Sequence, residues 1–155
     1  MFHIILYEPE IPPNTGNIIR LSVNTGFTLH LIKPLGFSTD DKSLKRAGMD
    51  YMKRTNFHVW ENLDECLDRI SPKAIYSVTT KGNTNYANVK YEKGDAFIFG
   101  PESRGLPKEI REKYTSIYMP MRSEGRSLNL ANAVSIITYE AWRQNAFMDI
   151  KVIGE

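Results

Sequence analysis

Short apolar runs alternate with helical patterns along the chain, and this alternation constrains the fold more than any other feature of the sequence. Runs of apolar and β-prone residues predict strands at Ile4–Tyr7, Leu29–Lys33, His58–Trp60, Ala74–Thr79, Ala96–Phe99 and Ile117–Pro120. Helical patterns fill the intervals at Asn17–Asn24, Asp40–Ala47, Glu61–Ile70, Pro107–Lys113 and about Asn129–Asn145. Such alternation indicates an α/β domain with a mostly parallel sheet and helices on both faces.

The bulk properties limit the possible functions. A chain of 155 residues fits one domain, and its net charge of +2 does not by itself indicate nucleic-acid binding. The first residues do not resemble a signal peptide, and the apolar runs are too short to span a membrane. Cys66 is the only cysteine and the three histidines are scattered, so we expect neither a disulfide nor a metal site. We therefore expect a cytoplasmic protein without membrane association.

The apolar stripe of the helix at residues 61–70 includes Cys66 together with Leu63, Leu67 and Ile70. A cysteine on such a stripe is more typical of a core residue than of a nucleophile.

The stretch PPNTGNIIR, residues 12–20, places several polar side chains directly after the first strand. Taken alone, it is explained by a capped helix with a solvated arginine, in which Thr15 and Gly16 belong to the cap. The functional alternative is that the helix N-terminus and Arg20 bind an anionic group such as phosphate. Asn14 belongs to the same polar set.

The stretch FGPESRGLP, residues 99–107, follows another predicted strand. Gly100 permits close approach of the backbone, and Glu102 and Arg104 project from a loop that Gly105 allows to turn back. A glycine-containing loop at the carboxyl end of a strand suits a nucleotide-like ligand. It matches neither GxGxxG nor a phosphate-binding Gly-Lys-Ser/Thr loop, which disfavours a dinucleotide dehydrogenase. A purely structural turn is the alternative.

A third polar cluster lies between the last strand and the last helix. Ser127 is a reasonable N-cap for that helix, whereas helix propensity does not explain Asn129 and Asn132 so early in it. No histidine lies near Ser127 in the sequence, so a Ser-His-Asp hydrolase has no support.

These three segments resemble, in order and spacing, the motifs of the SpoU class of SPOUT methyltransferases, here as NTGNIIR, FGPESRG and MPMRSEGRSLNLANAVSIITYE. Flanking stretches such as LYEPEIPPNTGNIIRL, PLGFSTDDKSLKRAGMDY and YEAWRQ are similar to the small TrmL type, which methylates the wobble nucleotide of tRNA. The resemblance covers roughly residues 1–147. It implies transfer of a methyl group from S-adenosylmethionine to the ribose 2′-hydroxyl of a cytidine or modified uridine at position 34, with S-adenosylhomocysteine as product.

The resemblance also implies an architecture. We expect a single domain over residues 1–155 without a separate RNA-binding domain, and a deep trefoil knot in its C-terminal part, which is a rare exception among folds. We expect a homodimer with active sites near its interface.

The motifs carry two sets of residues over to this chain. The implied catalytic set is Arg20, Asn14, Glu102, Ser127 and Asn129, with Tyr139 as a secondary candidate. The implied cofactor-binding set is Val78, Thr79, Phe99, Gly100, Glu102, Gly105, Met119, Pro120, Ser127 and Leu128.

Two of these side chains need a physical interpretation. Arg20 matches the arginine to which the family assigns the role of general base, but a guanidinium stays protonated in proteins. We interpret Arg20 as a group that binds phosphate, orients the ribose and stabilises the developing alkoxide, while a phosphate or water accepts the proton. Tyr139 lies opposite the apolar stripe of the last helix. It contacts RNA or a partner subunit, or is an ordinary half-buried tyrosine.

Local basic clusters are the candidates for contact with the tRNA anticodon stem-loop. One comprises Lys42, Lys45 and Arg46 with Lys53 and Arg54, and the other comprises Arg122 and Arg126. A solvated charged face is the alternative for both. Two other functions are left open: ribose methylation of ribosomal RNA, and a non-catalytic RNA-binding assembly factor on the same fold.

Overall fold

A computed structural model describes residues 1–48 and 57–150. Within these residues, seven strands form one parallel sheet in the order β3-β2-β1-β6-β4-β7-β5. The strands are β1 (His3–Tyr7), β2 (Thr28–Ile32), β3 (Phe57–Trp60), β4 (Ile75–Val78), β5 (Thr84–Asn85), β6 (Ala96–Phe99) and β7 (Thr115–Tyr118). The helices are α1 (Pro12–Thr25), α2 (Lys42–Gly48), α3 (Leu63–Ile70), α4 (Lys108–Lys113) and α5 (Leu130–Gln144). The predicted α/β class is confirmed.

Helices cover both faces of the sheet, as predicted, because alternate strand residues point to opposite sides. Ile4 and Leu6 of β1 belong to the larger core, which α1, α2 and α5 cover. Ile5 belongs to the smaller core with Leu63 and Cys66 of α3. Each fully buried Leu or Ile contributes about 1.5–3 kcal/mol to the free energy of unfolding. Burial raises the pKa of the Cys66 thiol to about 12, which agrees with a core residue and not with a nucleophile.

Helix α1 begins at Pro12, not at the predicted Asn17. Two prolines fit its first turn because the N–H groups that they lack have no intrahelical partner there. Thr15 and Gly16 therefore lie inside the helix and are buried, so their predicted role in the cap is wrong. At the other end, Gly26 adopts φ 76° and its N–H donates to the Ser22 carbonyl over 2.8 Å, as expected for a helix end.

The C-terminal part of the sheet contains a crossing that the sequence pattern does not predict. The edge strand β5 has only two residues and no apolar run, and it was not predicted. Strand β7 lies between β4 and β5, so residues 79–83 pass across β7 on their way to the edge. A Cβ atom at Gly82 would lie 2.5 Å from the carbonyl carbon of Ile117, so only glycine fits at this crossing. All six predicted strands are present, although β7 ends at Tyr118 and not at Pro120.

The three histidines lie side by side on β1, β2 and β3, although they are far apart in the sequence. His3 Nδ1 and His30 Nε2 are 3.0 Å apart, and the indole N–H of Trp60 donates to His30 Nδ1 over 3.0 Å. The His58 ring stacks on that of His30 with centroids 5.6 Å apart. Burial, with smaller contributions from the other two histidines, lowers the pKa of His30 to about 3. His30 is therefore neutral at physiological pH.

Two features are absent from residues 1–48 and 57–150. No group of three or more His, Cys, Asp or Glu side chains is placed to hold a metal ion. No helix in these ranges has the length and apolar character needed to cross a bilayer.

Candidate active site

A cavity of about 480 Å³ lies at the carboxyl ends of β4, β6 and β7. Ligands of open parallel sheets gather at this edge because the loops that follow the strands converge there. Of the ten residues of the predicted cofactor set, all but Pro120 lie in its lining: Val78, Thr79, Phe99, Gly100, Glu102, Gly105, Met119, Ser127 and Leu128. The loops that the sequence singled out therefore surround one space of a size typical for a small-molecule site.

Four residues of the predicted catalytic set also line this cavity. They are Asn14, Glu102, Ser127 and Asn129. The Nδ2 group of Asn129 donates to Asn14 Oδ1 over 3.1 Å, which joins two residues 115 positions apart in the sequence. Asn14 is buried in this arrangement, so its side chain is held in place. The first and third motifs thus meet directly at the cavity.

Asn129 also begins helix α5. Its Oδ1 accepts hydrogen bonds from the backbone N–H groups of Ala131 and Asn132 at 2.9 and 3.3 Å. Asn129 is therefore the N-cap, and the prediction that Ser127 has this role is wrong. Ser127 lies earlier, in the exposed loop that forms part of the cavity wall.

Glu102 connects the second motif to the start of α1. Its Oε2 accepts hydrogen bonds from the backbone N–H groups of Glu10 and Ile11 at 2.8 and 2.9 Å. Ile11 is the N-cap of α1 and has no side-chain acceptor, so Glu102 takes over the capping function. The start of α1 therefore already binds a carboxylate of the protein, which corrects the expectation that it binds an external phosphate.

The second oxygen of the Glu102 carboxylate is in a different situation. Oε1 is buried, and within the described residues it has no hydrogen-bond partner. A buried acceptor without a partner is costly.

At Gly100 the structure shows the close backbone approach that the sequence predicted. A Cβ atom at this position would lie 2.3 Å from the Leu106 backbone nitrogen and 2.4 Å from the Gly105 carbonyl carbon. The close approach that requires glycine is therefore between two parts of the protein's own loop. Gly105 allows this return with φ 67°.

The structure does not bring Arg20 and Tyr139 into the lining of the cavity. Arg20 lies on the exposed side of α1, and Tyr139 is 45% exposed on α5, with its ring 5.8 Å from that of Trp142. Both helices pack on the same face of the sheet. The functional roles of Arg20 and Tyr139 stay predictions.

The described residues of both predicted basic clusters are exposed. Lys42, Lys45 and Arg46 lie on α2, where Lys45 is 3.6 Å from Asp40. Arg122 and Arg126 lie in the loop between β7 and α5. Lys53 and Arg54 lie outside the described residues.

Sequence reasoning did not assign a role to the acidic residues that follow β1. Glu8 accepts a hydrogen bond from Arg104 at 3.2 Å, and Glu10 accepts hydrogen bonds from Ser103 at 2.7–2.9 Å. Their position at the carboxyl end of a strand was the one signal available. Their partners lie more than ninety positions away, and a single sequence does not reveal such pairs.

The chain is similar to known methyltransferases. The profile of the SpoU rRNA Methylase family matches residues 1–139. A tRNA (cytidine(34)-2′-O)-methyltransferase from Methylovorus glucosotrophus is 52% identical over 150 residues, which are 95% of this chain and 97% of that protein.

Two solved structures have the same fold. The first is a structure that concerns 2-OH methylation of C/U34 on tRNA. Its sequence is 38% identical to this chain, and the two superpose with a TM-score of 0.89. The match covers 94% of this chain and 97% of the chain in that structure. The SpoU methyltransferase AviRb from Streptomyces viridochromogenes, in complex with the cofactor AdoMet, is 22% identical with a TM-score of 0.84. That match covers 93% of this chain and 60% of AviRb.

Proposed function

Because this chain belongs to the SpoU rRNA Methylase family, we propose that it is an S-adenosylmethionine-dependent tRNA methyltransferase. It methylates the ribose 2′-hydroxyl of nucleotide 34, the wobble nucleotide of the anticodon, as the names of its relatives indicate for them. The observation that carries this proposal is the hydrogen bond between Asn14 and Asn129 at the cavity, because it assembles the first and third motifs into one site.

The cavity fits S-adenosylmethionine in its chemistry. Phe99, Met119 and Leu128 provide apolar walls for the adenine and ribose, while the loop backbone near Gly100 provides polar groups. When bound, the cofactor supplies a methyl group on a positively charged sulfur.

The protein's own groups bind and orient the RNA. Arg20 stays protonated, so it does not act as a base; it binds an RNA phosphate, orients the ribose and stabilises negative charge that develops on the 2′-oxygen. Asn14 and Asn129 hold each other at the cavity edge and limit where the ribose can lie. A phosphate of the RNA or a water molecule accepts the proton.

Two architectural features belong to the same proposal. The C-terminal part of the chain forms a deep trefoil knot, which is supported by the passage of residues 79–83 across β7 and by the tight return from Gly100 to Leu106. The protein is a homodimer with active sites near the interface. The exposed side chains of Ile136 and Tyr139 on α5 support this, because a partner subunit would cover them.

RNA contact comes from the exposed basic residues. Lys42, Lys45 and Arg46 on α2, and Arg122 and Arg126 beside the cavity, bind phosphates of the anticodon stem-loop. Because the net charge is only +2, affinity depends on these local clusters and falls steeply as salt increases. A tRNA substrate implies action in the cytoplasm.

Two measurements test the proposal. Calorimetry with S-adenosylhomocysteine should show binding to the purified protein, and its absence would overturn the enzymatic assignment in favour of a non-catalytic RNA-binding factor. Nucleoside mass spectrometry of tRNA from cells that lack the protein should show loss of 2′-O-methylation at nucleotide 34. Intact tRNA modification with loss of a methyl group from ribosomal RNA would contradict the tRNA assignment.

A further inference from the structure

Two loops at the edge of the cavity hold each other through their acidic residues. One follows β1 and the other follows β6, and these two strands are parallel neighbours. Glu102 of the second loop accepts the N–H groups of Glu10 and Ile11 in the first. Glu10 of the first loop in turn accepts the N–H and hydroxyl groups of Ser103 in the second, at 2.9 and 2.7 Å. Each acid thus binds the backbone of the opposite loop.

An ion pair extends this reciprocal contact. Arg104 lies 3.2 Å from Glu8, and we call the set of Glu8, Glu10, Glu102, Ser103 and Arg104 the clasp. Glu8 has φ 48°, in the left-handed region that non-glycine residues rarely adopt. Such strain persists where the surrounding structure holds it, and it clusters at functional sites.

The loop after β1 also contacts the loop that follows β2, at Gly36. The N–H of Gly36 donates to the Pro9 carbonyl over 2.9 Å. A Cβ atom at Gly36 would lie 2.7 Å from the Glu10 Cα, so the backbone there packs directly against the loop. These contacts restrain the loop after β1. The hydrogen bonds of the clasp in turn restrain residues 102–104 relative to that loop.

Residues 102–104 form one wall of the cavity, and Ile11 and Asn14 lie on the side of α1. We propose that Glu10 is a positioning residue. Through Ser103 it holds residues 102–104 against the start of α1 and so sets the width of the cavity. This inference rests on the proposed function, since it concerns the binding of S-adenosylmethionine. A wall that is held before binding loses less conformational entropy when the ligand arrives.

The hydrogen-bond geometry predicts how substitutions of Glu10 should differ. The backbone and hydroxyl donors of Ser103 both reach Oε1 of Glu10. The amide oxygen of a glutamine can accept the same two bonds, whereas alanine can accept neither. The donors lower the pKa of Glu10, so its carboxylate is ionised at neutral pH and the clasp is insensitive to pH there.

The test is calorimetric titration of S-adenosylhomocysteine into the full-length wild type and four variants. Glu10→Ala should weaken binding about tenfold, and Glu10→Gln should stay within about threefold of wild type. The affinity of Ser103→Ala for S-adenosylhomocysteine should lie between those of the two Glu10 variants, because this variant keeps the backbone donor of residue 103. Glu61→Ala removes an exposed carboxylate that follows the edge strand β3 and pairs with Lys33, outside both the clasp and the cavity lining; it is the matched control and should bind as wild type.

A second readout does not need the cofactor. Hydrogen exchange of the Ser103 amide in the ligand-free protein should accelerate in Glu10→Ala and not in Glu10→Gln, because only the former loses the acceptor. Failure of the wild type to bind S-adenosylhomocysteine would count against the proposed function, while the exchange data would still decide on the clasp.

Three results would overturn the inference: unchanged affinity and exchange in Glu10→Ala, equal losses in Glu10→Gln and Glu10→Ala, or the same loss in Glu61→Ala. If Glu10→Ala does not fold, as shown by its thermal transition, Ser103→Ala replaces it. In that case, wild-type affinity of Ser103→Ala would contradict the proposal.

Discussion

The N-terminal half of the sheet, β1–β3 with α1–α3, and the C-terminal half, β4–β7 with α4 and α5, connect their strands in different ways. Strands β1, β2 and β3 are neighbours in sequence order; α1 lies between the first two, and α2 follows β2. In the C-terminal half, β7 lies between β4 and β5, and the chain must cross it. The crossing needs backbone-to-backbone contact at Gly82. In the N-terminal half, a Cβ atom at the helix end Gly26 would meet only the end of Met1, at 3.9 Å, although the loop residue Gly36 packs closely on Glu10.

This difference separates two contributions to function. The ordinary N-terminal half supplies one polar helix, α1, with Asn14 and Arg20. The irregular C-terminal half supplies most of the cavity wall, from the loops after β4, β6 and β7. Loops that pass tightly across other strands are restrained at many points, which suits a site that must hold a flexible cofactor in one conformation.

The largest effect should follow from Gly82→Ala. Its Cβ atom would lie 2.5 Å from Ile117 and 2.9 Å from the Tyr118 nitrogen, both backbone atoms that cannot move aside without disturbing β7. We expect a loss of about 3 kcal/mol or more in the free energy of unfolding, measured by urea denaturation. Wild-type stability would contradict the tight crossing on which the comparison depends.

Arg20→Ala should separate the contributions of the two halves. We expect turnover to fall by at least roughly 100-fold, the lower range for loss of a catalytic group. The affinity for S-adenosylhomocysteine should be unchanged because Arg20 does not line the cavity. Single-turnover methylation and calorimetry give the two quantities. Near-normal turnover in a folded variant would refute the role that we give to Arg20.

Acidification should destabilise the protein through His30, which lies in the N-terminal half. The folded-state pKa of His30 is about 3, below the value of about 6.5 expected in the unfolded chain. The unfolded state therefore binds the extra proton, and stability that is complete above about pH 6.5 is lost as the pH falls through this window. We expect His30 to lower the free energy of unfolding by up to about 1.4 kcal/mol per pH unit of acidification. Urea denaturation between about pH 7 and pH 5 measures this loss.

The matched control for acidification is His30→Gln, which lacks the titrating group. Its free energy of unfolding should fall less steeply with pH over the same range. The difference in slope should be up to about 1.4 kcal/mol per pH unit, which corresponds to the uptake of one proton on unfolding. Trp60, whose indole donates to His30, provides a local fluorescence probe. Equal slopes in the variant and wild type would show that His30 does not account for the acid sensitivity.

The smallest effect should follow from Gly26→Ala. Here the substituted residue has space and meets only the conformational cost of φ 76°. We expect a loss of about 1–2 kcal/mol, smaller than that for Gly82→Ala, in the same denaturation assay. A loss as large as that for Gly82→Ala would remove the distinction between the strand crossing and an ordinary helix end.

Local sequence patterns predicted the strands and helices well because each apolar run must be buried on the sheet. They failed where the partner of a residue is distant. The start of α1 at Pro12 depends on Glu102, which replaces a local cap. Strand β5 depends on pairing with β7 and carries no pattern of its own.

In the site, too, local patterns failed where the partner of a residue is distant in sequence. The motifs identified Asn14 and Asn129 separately, but their hydrogen bond across 115 positions follows only from the fold. Arg20 matches the arginine of the first motif and yet lies outside the cavity lining. Glu102 was predicted as a site residue, but Glu8 and Glu10 were not, because acidic residues near a turn are common and the partners of these two are distant in sequence.

The most direct test of the proposed function is methyl transfer from labelled S-adenosylmethionine to a synthetic anticodon stem-loop RNA. Two RNAs are compared that differ only in the ribose of nucleotide 34, which carries a 2′-hydroxyl in one and is 2′-deoxy in the other. The proposed function predicts one methyl group per molecule of the first RNA and none on the second. Equal labelling of both RNAs, or no labelling of either, would contradict it.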